Sequence, residues 1–391
     1  MKTPILHYQS SEFSREIGEI DAWRDRLDRQ YPLSRQWTGV MRRDLEAESV
    51  AASTSMEGVP VTVDDVRRIL AGDRPASVAP ADQDLVRGYR DAMTFVQRRA
   101  DDPNFRWNRE LIVGVQDRVL AANHAAGAGR IREGEVRVVK RHSTTEVFKP
   151  PPASDVPRRV DQICDWLNHS DHHPALNAAW CHVAIAAVHP FRDGNGRTAR
   201  VMASQAIYRG GFRSPTFTSL EEWWGDHPDD YYTAFDCLGT EYDDRADVTP
   251  FIAAHLAAQL RQVRAIDLRE KTTRGLWTAI ENLLRDRDLP DRIALAVWDA
   301  FFGFTVTSGS YRGAADVSPA TASADLRTAS VVGLLTPQGA GRSRSYQAGE
   351  SMFKLIADEI GLPPFEHAAE DHRGAIIADL AMRVSSDNPL S

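Results

Sequence analysis

The chain has 391 residues, 42% hydrophobic and 26% charged, enough material for two or three packed domains of ordinary globular composition. Its net charge of -8 weighs against a surface that coats nucleic acid generally, though not against a local basic face. The amino terminus lacks an apolar h-region and no window reaches the roughly eighteen apolar residues of a membrane span, so no membrane partner is expected and the cytoplasm is the expected location. Cys164, Cys181 and Cys237 are odd in number and lack C-x-x-C spacing, which fits reduced thiols better than disulfides or a zinc framework.

Apolar residues at three- and four-residue spacing predict helices over 14–29, 43–57, 63–71, 82–99 and 108–122. After the glycine-rich stretch 127–134, Val136, Val138 and Val139 lead through a polar turn around His142 to Val147 and Phe148, which predicts a short hairpin over 136–148. Further helices are expected over 155–168, 175–188, 197–209, 228–238 and 249–264. The pattern changes beyond about residue 268. Helices over 291–303 and 308–316 precede Ser318-Pro319, which suit the N-cap and N1 positions of a third helix ending near Gly333. Leu334 to Tyr346 encloses Pro337, Gly339 and Gly341, a wing-like hairpin. The fold class expected is therefore mainly α, with a small β-hairpin in the middle and a winged helix-turn-helix module at the carboxy-terminal end.

Residues 189–200 read HPFRDGNGRTAR, between an apolar helix that includes Leu176, Trp180, Val183 and Val188 and a second helix ending at Gly210-Gly211. Gly194 and Gly196 permit backbone conformations closed to other residues, so the amides of 194–197 can converge at a helix N-terminus, a setting suited to phosphate. Arg197 and Arg200 lie in the first turn, where the helix dipole disfavours cations, and two guanidinium groups with a ring of amides match a di- or triphosphate better than one carboxylate. Asp193 supplies one hard oxygen, appropriate to Mg²⁺ shared with phosphates, and Asn195 is expected to donate to a phosphate oxygen. His189, just before the turn, suits a proton acceptor, and Phe191 a hydrophobic pin. The same letters formally match a dinucleotide fingerprint, but a helix rather than a strand precedes them; as an EF-hand loop they would need glutamate where Ser204 stands.

His189, Phe191, Asp193, Gly194, Asn195, Gly196, Arg197 and Arg200 spell H-x-F-x-D-G-N-G-R-x-x-R, which resembles the signature of the Fic (filamentation induced by cAMP) family of protein adenylyltransferases. The resemblance implies a Fic-type helical core, His189 as general base, Asp193 as metal ligand, and attack of a protein hydroxyl on the α-phosphate of ATP. It also implies that the hairpin 136–148 is a flap that docks the target backbone by strand addition. Some phosphorylating relatives carry lysine where this chain has Gly196, so the retained glycine favours nucleotidyl transfer, with other donors left open.

Ser53, Glu57 and Gly58 match S-x-x-x-E-G; Ser53 and Glu57 share a helical face and Gly58 reads as a terminator. This looks like the inhibitory motif that precedes the core in one class of the family, which implies that Glu57 pairs with Arg200 in the place of a γ-phosphate. For Tyr231 and Tyr232, lining the nucleotide base and packing in the core are both open. His169, His172 and His173 read as a polar loop rather than a metal site, and His182 as a buried packing residue.

Three regions are expected: 1–105 with the inhibitory helix at about 43–58, the catalytic core 106–267, and the module 268–391. The module exposes Ser318, Thr321, Ser323, Arg327, Arg342 and Arg344; DNA through 318–346 and a docked protein both remain open partners, and net acidity weighs against DNA. Homo-oligomerisation is open as well. The expectation is an autoinhibited, Mg²⁺-dependent AMP transferase using ATP. The alternatives are a hydrolase removing AMP or a transferase of another phosphate-containing group, and a DNA-binding regulator with a nucleotide-sensing pocket.

Overall fold

The computed structural model of the chain describes residues 5–28, 35–139, 144–212, 220–341, 344–363 and 372–386. The chain divides into two compact units, Met1–Tyr31 with Leu45–Val263, and Pro32–Asp44 with Arg264–Ser391. The first carries α1 (Ser14–Asp28), the residues from Leu45 on of α2 (Arg35–Met56), α3 (Val63–Leu70), α4 (Pro80–Ala100) and α5 (Arg109–Val119), then the strands β1 (Val138–Val139) and β2 (Glu146–Phe148). It continues with α6 (Val156–His169), α7 (Pro174–Val188), α8 (Asn195–Arg209), α9 (Leu220–Asp226), α10 (Pro228–Thr233) and the residues up to Val263 of α11 (Thr249–Arg285), whose remainder belongs to the second unit.

Local chemistry explains the boundaries. Thr62 and Asp65 close a reciprocal capping box at the start of α3, and the Asn108 side chain accepts from Leu111 N to open α5. α7 is apolar on every side, with Leu176, Trp180, Val183, Ile185 and Val188 all buried, as a helix without a polar face must be. It packs most extensively against α8. The turn joining this pair is therefore held from both ends by the most buried elements of the unit, which gives the 189–200 segment a rigid base. β1 and β2 pair antiparallel, as the alternating valines predict. The turn with His142 lies outside the described residues.

The second unit carries α12 (Ala294–Phe301), β3 (Val306–Thr307), α13 (Ser308–Ala315), α14 (Pro319–Val331), β4 (Leu335–Gln338), β5 (Ser345–Ala348), α15 (Met352–Glu359) and α16 (His372–Ser386). Ser318 caps α14 through Thr321 N, with Pro319 at N1, as expected. The strands form one antiparallel sheet in the order β3-β5-β4. Leu276, Ile280, Trp298, Phe301, Leu326 and Ile356 are part of its own core. Asp325 of α14 turns inward, accepting from Arg292 at 2.7 and 2.9 Å and from Tyr311 at 2.8 Å. Arg342 lies outside the described residues, and Arg344 is exposed.

Two helices run further than periodicity indicated. α11 continues from the expected end near 264 to Arg285, so the expected change of pattern near 268 lies inside one helix. Its polar middle hides the apolar repeat, but Asp267–Lys271 and Glu270–Arg274 are ion pairs one turn apart and no proline interrupts them. α2 begins at Arg35 rather than 43. β3, with only two residues, leaves no pattern to read.

Candidate active site

The site is built on the α7–α8 turn. His189 ends α7 in the left-handed region (φ 49°, ψ 60°), with its N–H on Ile185 O at 2.9 Å and its imidazole Nδ1 3.2 Å from Ala186 O. Bonding Nδ1 to a carbonyl places the proton there and leaves Nε2 as the acceptor. Burial lowers the imidazole pKa; the Ala186 carbonyl works the other way, Arg132 lowers it further, and Glu57 and Asp193 raise it, with a net value below the ordinary one. A neutral imidazole at physiological pH is the form that takes a proton.

Phe191 is fully buried, the pin that its sequence position suggests. Asn195 does something other than expected. Its Oδ1 accepts from Phe191 N and its Nδ2 donates to Phe191 O, both at 2.9 Å, so this amide locks the turn instead of reaching outward to a phosphate. The geometric reason is that Asn195 is the first residue of α8, facing the core, and only 4% exposed. Asn195→Ala leaves a buried N–H and C=O without partners, and is expected to cost roughly 2–4 kcal/mol in urea unfolding.

Gly194 sits at φ +80° as the N-cap of α8, where a Cβ would come within 3.3 Å of Val119. Asp193 Oδ1 accepts from Gly194 N at 2.6 Å and lies 3.5 Å from Arg197 Nη2, while its side chain stays 55% exposed. That leaves carboxylate surface open toward solvent, as a ligand for a cation shared with phosphates requires. Among the described residues no cluster of three His, Cys, Asp or Glu could hold a metal alone. Arg197 is buried and braces the turn by donating to Val119 O at 3.2 Å.

Arg200 is the centre of the polar network. Only 3% exposed, it donates from Nε to Ser53 Oγ (3.0 Å), from Nη1 to Tyr231 Oη (3.2 Å), and from Nη2 to Ser53 O (3.2 Å) and Glu57 Oε1 (2.9 Å). The S-x-x-x-E-G motif therefore reaches the second motif arginine through both of its polar side chains. Burial opposes the charge on Glu57, yet Arg200 first, then Arg197 and His189, outweigh it and hold the carboxyl below its usual pKa. Arg200 is buried and Glu57 partly exposed, and the two form an ion pair. A Cβ on Gly196 would lie 2.6 Å from Glu57 Oε1, so the missing side chain is what lets a carboxylate lie over the first turn of α8. The Glu57 carboxylate thus lies over the N-terminal turn of α8, where the helix dipole favours an anion.

Tyr231 is a core residue, packed with Met56, Trp224 and Ala258, and its hydroxyl meets both Arg200 and His182 Nε2 (3.2 Å). Tyr232 is 42% exposed and donates to Met56 O at 3.3 Å. Of the two rings, only Tyr232 has an open face. The three histidines are structural, and His169 lies not in the expected loop but in the last turn of α6, where it bonds Asp165 O; His172 pairs with Tyr8, and His173 caps α7 and bonds Asp21.

Behind Arg200 lies a cavity with about 20 Å³ open to the centre of a water molecule, lined also by His182, Ser204, Glu221, His255 and Gln259. That is room for one water, and polar atoms of His182, His255 and Gln259 on its wall have no protein partner among the described residues. Burial lowers the pKa of His182 strongly and that of His255 to about 3. Both stay neutral when folded and take a proton near 6.5 when unfolded. Their stabilisation is complete above that value and is lost as pH falls toward 3. The melting temperature should drop between pH 7 and 4, and less steeply in His255→Gln; parallel slopes would remove His255 from this account.

Two residues that sequence reasoning missed hold the turn. Gln116 donates to Asp193 O (3.1 Å) and accepts from Gly129 N (2.7 Å), and its signal was legible as a polar residue among Ile112, Val115 and Val119 on the buried face of α5. Arg132 donates to His189 O at 2.8 Å. An arginine in a glycine-rich loop carries no such signal.

Comparison with known proteins shows what the chain is similar to. Residues 106–207 match the model of the Fic/DOC family. A protein adenylyltransferase Fic of Nematostella vectensis is 28% identical over 245 residues, covering 60% of this chain and 52% of that protein. The protein adenylyltransferase fic-1 of Caenorhabditis elegans is 36% identical over 104 residues, 26% of this chain and 19% of that protein. The chain thus spans about half or less of the length of these relatives. Among solved structures, a Fic family protein from Desulfovibrio desulfuricans superposes with a TM-score of 0.56 at 22% identity, covering 89% of this chain and 99% of that one.

Proposed function

Starting from a Fic/DOC-family domain over residues 106–207, we propose that the chain is a protein adenylyltransferase held in a braked state by Glu57. The observation that carries this reading is the convergence at the α7–α8 turn of the His189 imidazole, with Nδ1 on Ala186 O, and the Arg200 guanidinium, whose Nη2 holds the Glu57 carboxylate over the first turn of α8. In the proposed reaction the polyphosphate of ATP lies over the first turn of α8, with its terminal phosphate taking the position of the Glu57 carboxylate. His189 accepts the proton of a target hydroxyl; its oxygen bonds to the α-phosphorus, the bond to the β-phosphate bridge breaks, and pyrophosphate leaves. Asp193 is the residue that would hold Mg²⁺, which when bound neutralises phosphate charge. The hairpin, with Val139 and Val147 exposed, is the surface proposed to dock the target strand.

Intact-mass analysis of the protein and of a lysate after incubation with ATP should find AMP adducts on hydroxyl side chains. Phosphate adducts, or none with the Glu57→Gly variant, would overturn the reading. A hydrolytic reading draws on the proximity of Glu57 to His189, each of which shifts the other's pKa: the carboxylate would orient water toward an AMP ester. Release of free AMP from a modified protein distinguishes it.

For the second unit we propose a winged helix-turn-helix, supported by the order α12, β3, α13, α14, β4, β5 and by the exposed Ser318, Ser323 and Arg327 on α14. Binding of duplex DNA through this face predicts affinity that falls with rising salt, with no retardation at any salt as the contrary result.

A further inference from the structure

Arg132 is a buried cation fastened to carbonyl oxygens. It is 6% exposed, and its guanidinium donates from Nε to His189 O at 2.8 Å, from Nη1 to Gly134 O at 3.1 Å and from Nη2 to Pro151 O at 2.5 Å. Its own backbone N–H donates to Pro190 O at 3.0 Å. Gly134 stands just ahead of β1 and Pro151 just behind β2. One rigid planar group thus ties both stems of the hairpin to the turn that carries His189.

That turn needs holding. His189 is a non-glycine residue at positive φ, a conformation that side chains with a Cβ rarely adopt and that persists only where the surroundings over-determine it. Its N–H and its imidazole are restrained by Ile185 and Ala186 of its own helix, while its carbonyl and the next one are restrained by Arg132. A lysine ammonium gathers its three donors on one freely rotating nitrogen; the guanidinium spreads its donors over three nitrogens in one plane, which is how it reaches His189 O, Gly134 O and Pro151 O together.

We propose that Arg132 is the positioning residue of the site, fixing the His189 turn and setting the hairpin in register with it, so that a strand docked on the hairpin presents its hydroxyl to the imidazole. This rests on the transfer reading. The clamp bonds the carbonyls of His189 and Pro190, at the α7 end of the turn, so its loss is expected to act on the chemical step and on the protein acceptor, not on the nucleotide.

The test uses the full chain in the Glu57→Gly background with Arg132→Lys, which keeps the charge, and Arg132→Met, which keeps the volume. In both variants kcat for AMP transfer should fall about 100-fold, the scale of a misplaced catalytic group, while the Kd for ATP by calorimetry stays at the parent value. Hydrogen exchange should rise together in 136–139, 144–149 and 189–193, with α4 unchanged. An undiminished kcat in Arg132→Met, a loss confined to ATP affinity, or faster exchange in the hairpin alone would overturn the proposal. If Glu57→Gly itself transfers no AMP, the transfer reading fails; joint loosening of hairpin and turn would still support the clamp and separate loosening would refute it. Should Arg132→Met not fold, Arg132→Lys carries the same comparison.

Discussion

Glu57→Gly is expected to raise AMP transfer from α-labelled ATP by about 10- to 100-fold, because a hydrogen bond to a charged group contributes about 1.5–3 kcal/mol and each 1.4 kcal/mol is a factor of ten. Arg200 is buried and the Glu57 side chain 26% exposed, so solvent screens the pair only weakly. The substitution frees Nη2 on one side while Ser53 and Tyr231 keep the guanidinium oriented, so the seat opens without collapsing. Glu57→Gln, which keeps the size and loses the charge, should fall between. Equal incorporation by all three proteins would remove the brake from the account. Acid is not expected to release it near neutrality. The carboxyl is held below its usual pKa, so the pair is complete above the ordinary carboxylate range and is lost only as pH falls through the depressed value.

In that open background, His189→Ala should lower transfer by roughly 10²- to 10⁴-fold, the range of a lost general base, with ATP affinity unchanged. In the proposed reaction the imidazole serves the acceptor hydroxyl while the amides of α8 and Arg200 serve the phosphates, so binding and proton transfer separate. The pH profile of kcat carries the same signature. Burial lowers the His189 pKa, so the acidic limb should lie below 6.5 and the rate stay level above it. A limb above 6.5, or a His189→Ala variant that keeps its rate and loses only ATP affinity, would assign His189 to binding.

The 189–200 turn was legible because its chemistry is local: the glycines, the terminal histidine and the first-turn arginines act within one segment whose flanking helices are plain from periodicity. The same holds for Ser53 and Glu57, whose spacing fixes a shared face. Most of what the sequence did not reveal is distributed across long separations; Asn195, whose partner Phe191 is four residues away, is the exception. Asn195 was expected to serve a phosphate because its residue type suits one, but which way the first residue of a helix faces depends on packing against α7, and the core claims its amide. Tyr231 reads as a ring after two tryptophans; its engagement with Arg200 exists only once α10 is packed against α8 and α2. Arg132 is the extreme case, since its three acceptors come from positions 134, 151 and 189. In the second unit, the buried Asp325 depends likewise on Arg292, 33 residues away, and on Tyr311.

The most direct measurement is a crystal structure of Glu57→Gly with a non-hydrolysable ATP analogue. The account predicts the terminal phosphate within hydrogen-bond distance of Arg200 Nη2 and the first amides of α8, with the α-phosphate beside the His189 imidazole. Phosphates bound elsewhere, with Nη2 of Arg200 still turned to other protein groups, would contradict it.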